Sequence, residues 1–220
     1  MNKTVELVNE WAKFESNHPE GGIADFCRYF LAHQSEKKIK GALVGGVVPD
    51  FTDGLLMKII GRISKLNMFY VNMAFKDTEV NQIEEFGMLM TIRQNKNPRK
   101  TDVIYDNLYE LSSGTDMLRR LQKRGLIKEY IDKNDKRSKR VELTPKGERT
   151  ADQCYQQMVK NARMMTYDLA DDDKKLVVQL LKGIEMKYST LWLQHKNKSF
   201  SEVYTSITKI DGVVKDKSRK

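Results

Sequence analysis

Residues 112–147 read SSGTDMLRRLQKRGLIKEYIDKNDKRSKRVELTPKG, and the fold turns on this stretch. Ser112, Ser113 and Thr115 are hydroxyl residues of the kind that cap a helix N-terminus. Met117, Leu118 and Leu121 recur at helical spacing on one face, while Asp116, Arg119, Arg120 and Lys123 fall on the others. Gly125 supplies a residue that tolerates the left-handed helix stop. Lys123 and Arg124 sit in the last turn, facing the negative end of the helix dipole. Two short strand-like runs follow, Leu126 to Ile131 and Arg140 to Thr144, separated by the polar and basic segment Asn134 to Lys139. Pro145 stops the second run and suits the first turn of another helix.

A basic helix followed by a basic-tipped hairpin is the outline of a winged helix-turn-helix, a module that reads DNA. Its second helix should lie in the major groove, where base edges are distinguishable. Ser112, Ser113, Thr115, Asp116, Arg119 and Lys123 are the outward candidates, with Arg120 at the edge of that face. An arginine paired with guanine contributes ~1–3 kcal/mol of discrimination. Hydroxyls at the helix start suit phosphates, because backbone N–H groups point the same way. At the hairpin tip Lys136, Arg137 and Lys139 can reach the minor groove, whose potential attracts arginine. The alternative use of the same cations is a solvated face.

The stretch resembles the MarR family of winged-helix transcription regulators. RLQKRGLI at 120–127 is similar to the end of that family's recognition helix and the start of its wing. Asp135-Lys136-Arg137-Ser138-Lys139-Arg140 matches the family's Asp-x-Arg-x-x-Arg wing signature, and Leu143-Thr144-Pro145-Lys146-Gly147 its Leu-Thr-x-x-Gly exit. The resemblance covers about residues 55–195 in outline and is sharp over 112–147. It implies that Arg137 enters the minor groove, that Asp135 orients an arginine as a structural residue, and that Arg140 supports the wing. It also implies a homodimer reading two half-sites of a pseudo-palindromic operator in double-stranded DNA. A small aromatic or phenolic effector would bind between the dimer region and the DNA-binding head. The chain departs from the family where a Leu-Ala pair is usual in the first helix of the helix-turn-helix. Tyr105-Asp106-Asn107 stand near that point.

Composition agrees with an anionic partner. The 220 residues carry a net charge of +9. From Ser112 to Thr150 there are 12 Lys/Arg against 6 Asp/Glu, from Met1 to Asp53 6 against 8, and from Lys196 to Lys220 7 against 3. The positive surplus therefore lies mainly on the reading head and secondarily in the tail. Two distant cysteines, Cys27 and Cys154, make no disulfide framework. Both read as small buried hydrophobes rather than redox sensors. No apolar run approaches the ~20 residues needed to cross a bilayer, so a soluble, cytoplasmic, bacterial-type regulator with no membrane partner is expected.

Taken in order, the chain begins with two helices, Thr4 to Glu15 and Ile23 to Gln34, the second with a stripe of Phe26, Tyr29 and Phe30. Lys37 to Asp53 is a linker whose glycines lack the Gly-Lys-Ser/Thr ending of a phosphate loop. Long helices are expected over Asp53 to Lys76 (Leu56, Ile60, Ile63, Asn67, Tyr70 and Ala74 on one side), Val80 to Gln94 and Lys146 to Asp168. Thr101 starts a short helix carrying Val103, Ile104 and Leu108. Asp171 to Asp173 suit the N-terminus of a last helix reaching His195, rather than a metal site. Ser199 to Lys220 reads as a polar, basic, partly mobile tail.

The expected fold is mainly α (α+β), a winged helix-turn-helix head with long dimerisation helices and an N-terminal helical extension. Residues 1–50 form the extension and linker and 51–196 the core, with dimerisation helices at about 53–76 and 146–195 and the head at about 80–147; 197–220 form the tail. Tyr70, Met90 and Met158 are candidate effector-lining residues by helix face. His18, His33 and His195 have no metal-ligand spacing, and no Gly-x-Ser-x-Gly elbow or Cys/His pair is present, so no enzyme, metal or cofactor is expected. The expected activity is sequence-specific transcriptional regulation, by repression. The rival from another class is a winged-helix protein–protein interaction module that binds DNA only non-specifically.

Overall fold

Local chemistry sets the order of elements around the quoted stretch. The computed structural model describes residues 2–35, 45–133 and 135–210. The helices are α1 (Lys3–Asn17), α2 (Ile23–Ser35), α3 (Thr52–Ala74), α4 (Ile83–Asn95), α5 (Lys100–Asp106) and α6 (Leu111–Lys123). Strands β1 (Ile127–Ile131) and β2 (Lys139–Leu143) follow, then α7 (Pro145–Met165), α8 (Asp171–His195) and α9 (Phe200–Ile210). The chain divides into two compact units, Met1–Lys58 and Ile59–Lys220. Among the described residues no helix is long and apolar enough to cross a membrane.

In the second unit a single core joins α4, α5, α6, the hairpin and the start of α7. Leu118, Leu121, Leu126, Val103, Ile104, Met88 and Leu89 are all essentially sealed from solvent. Each such side chain contributes ~1.5–3 kcal/mol by leaving water. Where α5 crosses α6, Gly114 has no side chain because Ile104 occupies its place; a Cβ there would lie 2.5 Å from Ile104 Cγ2. The departure at Tyr105-Asp106-Asn107 thus leaves docking intact. Asn107 Nδ2 donates to Thr91 Oγ1 at 3.0 Å and to Val103 O at 2.7 Å, tying α5 to α4.

β1 and β2 pair antiparallel with Ile127 opposite Leu143 and Ile131 opposite Lys139. Gly125 takes φ +70° and ends α6 as its residue type suggests. Thr144 caps α7, its hydroxyl accepting from Gly147 N at 3.0 Å, with Pro145 in the first turn. Gly147 is dictated by packing, since a Cβ would sit 2.0 Å from the Leu126 carbonyl oxygen. The Leu-Thr-x-x-Gly exit is therefore a cap followed by a close backbone approach.

Several expectations are corrected. Ser112 and Ser113 lie inside the first turn of α6, and the N-cap residue is Glu110, which makes no side-chain cap bond. Leu108 falls outside α5, at φ +60° and exposed, because the turn into α6 claims it. Val80 precedes α4 and is buried. Residues 200–210 are helical rather than tail-like, with Val203 and Ile207 half-buried at helical spacing. Cys27 is exposed, because the aromatic contacts of α1 with α2 run through Phe14, Phe26 and Tyr29 on other faces. Cys154 is buried as expected, and burial pushes its thiol up. Residues 36–44 of the glycine-containing linker, Asn134 and residues 211–220 lie outside the described residues.

Candidate nucleic-acid interface

The α6 helix shows solvent a polar face built on its sealed apolar one. Ser112, Ser113, Asp116, Arg119, Arg120 and Lys123 are exposed, and Thr115 is half-buried. Asp116 and Arg119 pair across one turn at 2.7 Å. In the open, such a pair holds an arginine only weakly. Arg120 is different. Its Nε lies 3.4 Å from Glu85 Oε1, and the neighbouring Arg124 places Nη2 2.6 Å from the same oxygen. Glu85 is buried on α4, and its other oxygen accepts from Asn81 N at 3.0 Å. Arg124 Nη1 also donates to Glu79 O at 2.6 Å. Glu85 therefore clamps the C-terminal end of α6, and Arg120 serves the scaffold as well as the surface.

The wing is built by two aspartates with separate tasks. Asp135 accepts from Arg137 N at 3.1 Å and Ser138 Oγ at 2.6 Å. The Ser138 hydroxyl and the Arg137 amide hold its carboxyl below the ordinary range. It thereby shapes the tip and holds Arg137 through its backbone amide. The aspartate that grips an arginine side chain is Asp132, buried at the base, whose Oδ2 accepts from Arg140 Nε at 2.6 Å. Arg140 Nη1 donates to Asn97 O at 2.7 Å, and Arg99 forms a β-bridge with Arg140 that adds a third short strand contact. These contacts leave Arg140 half-buried at the base of the hairpin.

At the tip Lys136 and Arg137 are exposed. Lys139 Nζ lies 2.5 Å from Glu129 Oε1, and Lys100 Nζ lies 2.8 Å from Glu129 Oε2. Burial pushes the Glu129 carboxyl up, but the hydrogen bonds and charges of Lys100 and Lys139 outweigh this and hold it below its ordinary value. Lys100, Thr101, Arg137, Ser138 and Lys139 together line a surface recess of about 190 Å³. The sequence reading missed Lys100 as a member of this group, because α5 begins one residue before the Thr101 that reads as its start.

A second feature lies between α3 and α7. Asn161 Nδ2 donates to Asn67 Oδ1 at 2.7 Å, and its own buried Oδ1 has no hydrogen-bond partner among the described residues. Asn161 lines a recess of about 330 Å³ with Tyr70, Met73, Gln157, Lys160 and Met164. Of the three candidate effector-lining residues only Tyr70 is there; Met90 and Met158 pack against the core of the head. Among the described residues no cluster of His, Cys, Asp and Glu is arranged to hold a metal.

Residues 85–147 match the family model of a winged helix DNA-binding domain. Among solved structures, the MarR protein of Peptoclostridium difficile is 17% identical, with a TM-score of 0.62 over 69% of this chain and 99% of its own. A MarR variant from E. coli in complex with operator DNA is 24% identical, with a TM-score of 0.55 over 59% of this chain and 92% of its own. The PcaV transcriptional regulator of Streptomyces coelicolor, in complex with its natural ligand, is 15% identical, with a TM-score of 0.55 over 65% of this chain and 97% of its own. A sequence comparison with curated proteins gives no significant match. The chain has the winged-helix fold of MarR-type regulators.

Proposed function

We propose that the protein is a sequence-specific DNA-binding transcriptional regulator, a repressor that acts as a homodimer on a pseudo-palindromic operator. The carrying observation is the pairing of an exposed polar α6 face with a wing whose tip presents Lys136 and Arg137 on a turn held by Asp135. In this reading α6 enters the major groove, with Arg119 and Lys123 toward bases or phosphates and Ser112, Ser113 and Thr115 toward the backbone. Arg137 enters the minor groove. Arg120 and Arg140 act at one remove, fixing the angle of helix and wing through Glu85 and Asp132.

Two-fold symmetry is supported by apolar surface left open on the long helices. Leu56, Ile63 and Phe69 on α3 and Val178, Leu180 and Tyr188 on α8 are exposed large hydrophobics. Large apolar side chains left exposed along long helices support such an interface. The recess around Tyr70 and Asn161 suits an aromatic effector with a hydrogen-bond donor for Asn161 Oδ1. Such a ligand acts only through different affinities for two spacings of the heads.

The test is a titration, across a range of salt, of a duplex enriched by the protein from a random-sequence library, with a scrambled duplex as control. A preference of ~10³ or more that survives physiological salt is expected. Parallel loss of both affinities as salt rises would overturn the reading and favour a protein–protein interaction module with a basic surface.

A further inference from the structure

The DNA-facing end of α6 carries a carboxylate that works against the proposed partner. Glu110 is the N-cap residue of α6, yet its side chain makes no cap bond to the helix. The first-turn N–H groups of a helix have no intrahelical partner, and they sit at the positive end of the dipole. That is where a DNA phosphate would dock on this helix. A carboxylate free at the N-cap would be drawn to the same amides and would repel the phosphate.

The last long helix holds that carboxylate elsewhere. Lys196, at the C-cap of α8, places Nζ 2.5 Å from Glu110 Oε2. The same ammonium lies 5.4 Å from the centre of the Tyr105 ring. Tyr105 in turn meets Trp192 edge-on, with ring centres 6.3 Å apart. The hydrogen bond from Lys196 to Glu110 raises the lysine pKa above its ordinary value. Four residues from three elements thus converge on one end of the helix: Glu110 beside α6, Tyr105 on α5, and Trp192 and Lys196 on α8.

We propose that this clasp is a positioning device for DNA binding, in which Lys196 draws Glu110 away from the first-turn amides of α6 and leaves them open to a phosphate. The proposal rests on the DNA-reading role of α6. It makes the end of α8 a determinant of affinity without contact to DNA.

The experiment is a double-mutant cycle on the full chain, using the duplex enriched by the wild-type protein at one fixed salt concentration. Lys196→Met is expected to bind about tenfold more weakly. Glu110→Gln is expected to bind at least as tightly as wild type. The double variant is expected to return to within about twofold of wild type, since no carboxylate then remains to block the amides. If Lys196→Met binds as wild type, or if Glu110→Gln fails to rescue it, the clasp is overturned and any effect of Lys196 is its own charge. A second readout needs no DNA. Hydrogen exchange at the amides of Leu111 to Ser113 should slow several-fold in Lys196→Met and recover in the double variant; equal rates in all four proteins would overturn the proposal. If the wild-type protein enriches no duplex, the DNA-reading role fails, and the exchange rates still decide the clasp.

Discussion

The head and the long helices solve opposite problems. In the head, α4, α5, α6 and the hairpin close on one another until Leu89, Ile104, Leu118, Leu121 and Val141 are sealed. Along α8, by contrast, no residue is buried, although Leu180, Ile184 and Tyr188 recur at helical spacing. The same amphipathic pattern means core in one place and unpartnered surface in the other. Periodicity announces that a face will be covered and leaves open whether the cover is the same chain. The head closes a core of its own, whereas the long helices leave large apolar side chains exposed among the described residues.

Truncating one apolar residue in each region breaks the comparison most visibly. Leu121→Ala should cost the head ~2–5 kcal/mol in denaturant unfolding, because a sealed leucine leaves both transfer energy and a cavity. Ile184→Ala, at 44% exposure, should change dilute-protein stability by less than about 1 kcal/mol and instead weaken self-association in sedimentation equilibrium. Equal losses of stability from the two would show that α8 is packed within its own chain.

Within the head the comparison sharpens between tip and base of the wing. Arg137→Ala should lose about 10–100-fold in operator affinity at fixed salt, with stability within ~0.5 kcal/mol of wild type. Unchanged affinity would remove Arg137 from the interface. Asp132→Asn should do the reverse, lowering stability by ~1–2 kcal/mol through the loosened Arg140 and affecting affinity only as far as the wing shifts. Thermal unfolding of the two variants beside wild type separates these cases.

The smallest expected effect is on pH. Glu129 has a folded pKa below its ordinary value, so its contribution to stability is present above the unfolded carboxylate range. That contribution is lost as pH falls through the lower folded value. Glu129→Gln should therefore flatten the decline of melting temperature on acidification below about pH 4.3. An unchanged acid limb would show that the Lys100–Glu129–Lys139 group adds nothing to folding.

The features legible in the sequence are those that local chemistry dictates. Gly125 at positive φ, Pro145 in a first turn and the hydrophobic triplet Met117, Leu118 and Leu121 each carry their own reason within a few residues. The wing's polar tip was legible for the same cause. What escaped was settled by contacts across long stretches of chain. Glu85 looks like a first-turn acid suited to the helix dipole, and only the fold reveals that it is buried against Arg120 and Arg124, some 35 residues away. Asp132, three residues before the signature, binds the Arg140 side chain across the hairpin, a pairing that no local pattern marks. Cys27 stands among aromatic residues in sequence, but the hairpin of α1 and α2 turns those aromatics toward each other and leaves the thiol out. No short-range signal marks the Lys196–Glu110 pair, because its partners lie on separate helices.

One measurement tests the central claim most directly: a hydroxyl-radical footprint of the protein on its enriched duplex at physiological salt. Two protected patches centred about one helical turn (10–10.5 bp) apart are predicted, with the minor-groove protection in each lost in Arg137→Ala. A single patch, or diffuse protection that Arg137→Ala leaves unchanged, would contradict a dimeric winged-helix reader.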